Sequence, residues 1–100
     1  MESYKKLVRD KIPEILDTKG VPYEKSIASP EEYKKELIKK LTEETSEFAE
    51  VGSPEELADV LEVIEALREL SEYHDVEKIR LKKLEERGGF EERIILKGKK

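Results

Sequence analysis

The chain has 100 residues, 45% of them charged and 36% hydrophobic, with a net charge of −5 and no cysteine. That length suits one domain over residues 1–100, and the missing cysteines exclude disulfides, thiolate metal sites and a cysteine nucleophile. The acidic balance argues against a nucleic-acid partner, and no apolar run approaches the roughly 20 residues of a membrane span.

Residues Met1 to Lys6 lack the apolar stretch of a secretory leader, so a cytoplasmic location is expected. Leu, Ile, Val and Phe number 27, too many for a disordered chain but enough only for a thin core. A homodimer or higher homo-oligomer is therefore expected, because pairing of copies buries more surface. Asn and Gln are absent while Glu has 21 copies. Fewer thermolabile amides with more Glu and Lys is the composition of a thermophile protein.

Along the chain, Tyr4 to Gly20 reads as an extended start followed by a short helix, with Asp10 as cap, Pro13 in the first turn and Gly20 as stop. Val21 to Ser29 has weak periodicity and reads as a loop or a poor strand. Ser29-Pro30-Glu31-Glu32 is a helix start, and Tyr33, Leu37, Leu41 and Phe48 mark one face as far as about Glu50. After Val51-Gly52, Ser53-Pro54-Glu55-Glu56 repeats the signal. Leu57, Val60, Leu61, Ile64 and Leu67 carry the next helix to about Glu72. Asp75 can cap another helix, stopped by Gly88-Gly89. Ile94-Ile95-Leu96 in the tail predicts a short strand. The expected fold is mainly α, a helical bundle built on an antiparallel helical hairpin, with minor strand elements near the termini.

Chemistry concentrates in Glu43-Glu44-Thr45-Ser46-Glu47 and Glu56-Leu57-Ala58-Asp59. Glu44 and Glu47 share a helix face at i,i+3, as do Glu56 and Asp59. Glu47 and Glu56 stand symmetrically about the turn, and so do Glu44 and Asp59. Each pair should then sit level on facing helices, ~8–10 Å apart between axes. Acids bordering an apolar stripe are costly to desolvate and repel one another, and a divalent cation offsets both costs. Oxygen-only ligands favour Mg²⁺, with Mn²⁺ as substitute, and Mg²⁺ is commonly shared with substrate phosphates. The implied chemistry is phosphoryl transfer or hydrolysis. The alternative is a solvated acidic face on a non-catalytic interaction module.

The Glu44-x-x-Glu47 and Glu56-x-x-Asp59 pairing on consecutive helices resembles the MazG-like all-α nucleoside triphosphate pyrophosphohydrolases, a superfamily that includes phosphoribosyl-ATP pyrophosphohydrolase. Lys6-Leu7-Val8-Arg9-Asp10-Lys11-Ile12-Pro13 resembles the N-terminal signature of a small house-cleaning subgroup. Arg87-Gly88-Gly89-Phe90-Glu91-Glu92-Arg93-Ile94 resembles its C-terminal segment. The resemblance implies Mg²⁺-dependent hydrolysis of a nucleoside triphosphate, non-standard ones included, to monophosphate and pyrophosphate. It also implies a helical core that assembles as a dimer or higher oligomer. Carried over by motif, Glu44, Glu47, Glu56 and Asp59 become the metal ligands. Only eight residues separate Glu47 from Glu56, fewer than in many members, so the substrate pocket is expected to draw on the terminal segments or a second subunit.

Around that set, Glu43 reads as a general base or a solvent-facing acid. Lys40 meets a phosphate oxygen or pairs with Glu44 at i,i+4. Arg9 and Lys11 hold the triphosphate or fix the segment to the bundle, and Arg87 and Arg93 have similar but weaker claims. Glu62 supports Asp59 or faces solvent. His74 reads as a surface turn residue, and Tyr33, Phe48 and Tyr73 as packing residues.

Overall fold

Two Ser-Pro-Glu-Glu starts, separated by one helix length, organise the molecule. In the computed structural model, which describes residues 5–99, four α-helices form: α1 (Ile12–Lys19), α2 (Pro30–Val51), α3 (Pro54–Arg68) and α4 (Val76–Arg87). Tyr4, where the extended start was placed, lies outside the described residues. The Ser29 hydroxyl accepts from the Glu32 amide at 3.2 Å, and the Ser53 hydroxyl from the Glu56 amide at 3.3 Å. Each proline sits where its missing N–H costs nothing. Between the two helices, Gly52 takes φ 72°, and its amide donates to the Phe48 carbonyl at 2.7 Å. A left-handed residue at that point favours glycine, and it reverses the chain within two residues. The result is the expected helical hairpin.

The hairpin seam is the core, and it is thin. Leu37 on α2 and Val60 and Val63 on α3 are the buried hydrophobic residues, Leu37 only 3% exposed. Among the described residues, the fourth buried one is Glu44, 8% exposed. Leu57 and Leu61, part of the expected α3 stripe, lie on its open side.

The N-terminal segment crosses both helices: Lys5 pairs with Glu32 of α2 at 3.1 Å, and Arg9 with Asp59 of α3 at 2.8 Å. Asp10 does not cap α1. Lys11 occupies the cap position, the Ile12 amide is taken by the Arg9 carbonyl at 3.1 Å, and Pro13 has no amide to satisfy. Helix α3 ends at Arg68, short of Glu72: Leu70 turns to an extended backbone, and Lys34 of α2 meets the following 3₁₀ turn (Ser71–Tyr73). Its ammonium meets Glu72 at 2.7 Å and lies 5.6 Å from the Tyr73 ring centroid. Asp75 stands at the start of α4 without capping it, its backbone not extended and its carboxylate 3.4 Å from the His74 ring.

The expected strand elements do not form among the described residues. Phe90 to Leu96 has no neighbouring strand to pair with, and a turn closed by the Arg93 amide on the Phe90 carbonyl breaks it. This tail and α4 project from the hairpin. Arg68 bonds Glu77 at 2.9 Å across the α3–α4 corner, yet no residue of α4 is buried, and Phe90 is 97% exposed. The radius of gyration is 18.0 Å, against about 13 Å for a compact chain of this length. No helix among the described residues is long and apolar enough to cross a membrane.

Because so few apolar residues hold the seam, truncating one should be felt strongly. Leu37→Ala should lose about 2–5 kcal/mol in urea unfolding. Ile38→Ala, at a 44% exposed neighbour, should cost well under about 1 kcal/mol.

Candidate metal centre and substrate cleft

Helical periodicity places the site. On α2, residues 33, 37, 40 and 44 recur at i, i+4, i+7 and i+11, and on α3, residues 59, 62, 63 and 66 share one face. Tyr33, Leu37, Lys40 and Glu44 meet Asp59, Glu62, Val63 and Ala66 across a cleft of about 440 Å³, roofed by residues 7–11. An adjoining hollow, between that roof and Ile12 and Leu16 of α1, is also lined by Arg9, Lys40, Glu44 and Asp59. Glu44 and Asp59 therefore stand where the two spaces meet.

Carboxylate oxygens of Glu44, Glu56 and Asp59 lie within 4.8 Å of one another. Glu44 is the buried member, and Glu56 and Asp59 are half-buried. The Glu44 Oε1 atom receives Lys40 Nζ at 3.5 Å, but its Oε2 atom is buried with no hydrogen-bond partner. A buried carboxylate oxygen left unpaired costs free energy, and most such atoms in folded proteins find a donor or a cation. The three neighbouring carboxylates make an all-oxygen donor set, which fits a hard divalent cation such as Mg²⁺ or Mn²⁺.

Glu47 stands outside this triad, exposed at the rim. Repulsion from Glu44 raises its proton affinity above the ordinary glutamate value, with partial desolvation and then Glu56 and Glu43 adding to the effect. The charges of Glu43, Glu44 and Glu56 thus act on Glu47, which also lies within hydrogen-bonding reach of Glu44, while Glu44, Glu56 and Asp59 form the group with oxygens mutually within 4.8 Å. Glu43 is exposed, 4.0 Å from Lys40 Nζ.

Of the basic residues expected to meet phosphate, Arg9, Lys11 and Lys40 line the cleft. Arg87 ends α4 and does not line it. Arg9 hydrogen-bonds Asp59 Oδ1 through Nη2. Glu62 lines the cleft while remaining solvent-exposed. His74 is a surface residue of the turn, bonded to the Ser71 carbonyl. Sequence reading missed Tyr33, Ala66 and the Leu7–Val8 pair as cleft walls. The spacing of Tyr33, Leu37, Lys40 and Glu44, apolar at one end and charged at the other, was the available signal. No family model, curated protein or solved structure matches this chain.

A folded-state proton affinity above the unfolded one contributes stability below the ordinary glutamate range, and that contribution is lost as pH rises through the raised value. Glu47→Gln should therefore raise the melting temperature of chelator-treated protein at neutral pH. The gain should vanish at pH values below the ordinary glutamate range, where wild-type Glu47 is already protonated. Melting curves across that range, with chelator present throughout, check the sign.

Proposed function

We propose that this chain is a nucleotide pyrophosphohydrolase that uses Mg²⁺, or Mn²⁺ in its place, to hydrolyse a nucleoside triphosphate to the monophosphate and pyrophosphate. One observation carries the reading: Glu44, buried and with one oxygen unpartnered, belongs to a group of three carboxylates with oxygens within 4.8 Å of one another, and it lines the cleft with Asp59. The resemblance to MazG-like enzymes supports it through the same residues. The cleft volume lies within the 300–1,000 Å³ common for small-molecule sites.

Glu44, Glu56 and Asp59 would hold the cation, with Glu47 completing the set from the rim. A divalent cation supplies positive charge against the phosphate oxygens and makes water a stronger nucleophile at neutral pH. Arg9, Lys11 and Lys40 meet the remaining phosphate charge, Arg9 with a fork that matches two oxygens at once. Tyr33, Leu37, Val63 and Ala66 give the nucleoside an apolar wall. Water adds to one phosphorus of the α–β phosphoanhydride, the bridging P–O bond to that phosphorus breaks, and the displaced group leaves with the bond's electron pair, giving monophosphate and pyrophosphate. Glu43, open to solvent, would accept the proton that water gives up.

Exposed apolar surface supports a homodimer or higher oligomer. Val76, Ile79, Leu81 and Leu84 on α4, and Phe90, Ile94, Ile95 and Leu96 beyond it, are all more than two-fifths exposed in the single chain. A cytoplasmic site of action accords with a nucleotide substrate.

The activity is tested by pyrophosphate release from standard and modified triphosphates and from phosphoribosyl-ATP, with and without Mg²⁺. Wild type should release pyrophosphate only with the cation, and Glu56→Gln and Asp59→Asn should each lose at least ~100-fold. Preference for phosphoribosyl-ATP would favour that narrower activity. Equal inertness of wild type and variants, with no Mg²⁺-linked thermal stabilisation, would favour a non-catalytic interaction module. Light scattering should give at least twice the 11.6 kDa chain mass, and Ile79→Lys with Leu84→Lys should lower it.

A further inference from the structure

A triad of acids in an apolar seam needs positive charge whether or not a divalent ion is bound, and the chain supplies some of its own. Arg9 Nη2 sits 2.8 Å from Asp59 Oδ1, and Lys40 Nζ sits 3.5 Å from Glu44 Oε1. The two cations differ in their freedom. Lys40 is one turn from Glu44 on the same helix, its side chain only 20% exposed. Arg9 belongs to no helix or strand, lies 50 residues from its partner in sequence, and is more than half exposed. Its guanidinium can leave Asp59 by side-chain rotation. It also borders both hollows that open on the acids, so a released guanidinium stays beside the space where phosphates would enter.

We propose that Arg9 is an exchangeable stand-in for the cation: it neutralises Asp59 while the metal centre is empty, gives up that carboxylate when a divalent ion binds, and then turns its fork to the phosphates that arrive with the ion. This rests on the metal-centre reading above and adds a coupling to it. A bare cation must displace Arg9 and leave it without a partner. A cation bearing a triphosphate displaces Arg9 and offers it a new anion in the same step. The site therefore prefers the metal–triphosphate complex over either component, and the preference resides in one residue.

The experiment is calorimetry with Mn²⁺ alone, and with the preformed Mn²⁺ complex of a methylene-bridged analogue of inorganic triphosphate, which has no cleavable bridge. Arg9→Gln should bind bare Mn²⁺ about 2–5-fold more tightly than wild type, the range expected for losing a half-exposed competing ion pair. The same variant should bind the complex at least ~10-fold more weakly, having lost a bidentate phosphate contact. Lys11→Gln removes an equal charge from the same segment, but Lys11 forms no ion pair with the three acids. It should shift bare Mn²⁺ affinity less than about twofold.

A bare Mn²⁺ affinity that is unchanged or weakened in Arg9→Gln, or a gain matched by Lys11→Gln, overturns the exchange and leaves the metal-centre reading standing. Failure of wild type to bind Mn²⁺ in any form overturns both. Should Arg9→Gln not fold, the Arg9 Nε–H resonance of wild type decides. A shift on saturation with Mg²⁺ supports the exchange, and an unmoved resonance refutes it.

Discussion

The constraint on which the rest depends is a carboxylate placed where an apolar side chain would be cheaper. Glu44 is as buried as Val63, and it occupies the seam between α2 and α3 beside the few hydrophobic residues that hold them together. A leucine there would strengthen the hairpin by burying apolar surface. The sequence instead commits a charge, satisfies one oxygen with a lysine on the same helix, and leaves the other without a donor. Such a choice weakens the fold, and sites that weaken a fold are where function concentrates. The exposed arm formed by α4 and the tail adds to the same economy: a single copy of this chain buries little.

The short turn converts that local cost into a shared site. Two residues separate α2 from α3, which keeps the facing helices in register across the acids. The positions of Glu44 and Asp59, level across the hairpin, and of Glu56, one turn nearer the bend, follow from helix rise alone. A longer connection would let the helices slide or splay and would decouple the acids. Here the Ser29 and Ser53 caps, the prolines and Gly52 act together: they fix helix starts and the reversal, and the fixed ends determine which carboxylates meet.

Legibility in the sequence follows the range of the interactions. Features set by neighbours three or four residues apart could mostly be read: both Ser-Pro-Glu-Glu starts, the reversal at Gly52, the stop at Gly20 and the acids sharing helix faces, though the expected Asp10 cap gave way to Lys11. Features set by distant partners could not. Helix α3 stops before Glu72, whose carboxylate pairs with Lys34, more than 30 residues away. Asp75 has capping chemistry but not the backbone geometry, and its carboxylate lies beside His74. The tail has strand composition but no partner strand, and composition cannot supply one. The site divides the same way. The acid motif was visible, whereas which of its oxygens come within 4.8 Å of one another depends on side-chain directions that helix spacing does not determine.

Arg9 shows why the N-terminal segment could not be assigned a role from sequence. An arginine four residues before Pro13 has no local partner that explains it, and its bond to Asp59 closes a loop of half the chain. Ordering that segment costs conformational entropy, and a half-exposed ion pair returns little against it. The segment is nevertheless held at both ends, by Lys5 on Glu32 and by Arg9 on Asp59, with Leu7 half-buried between them. Two weak anchors and one apolar contact make a roof that is placed but not locked. A rigid roof would seal the acids from any ligand, and a free one would leave them uncompensated. Marginal attachment of this kind is what a cleft needs if it is to exchange an internal cation for an external one.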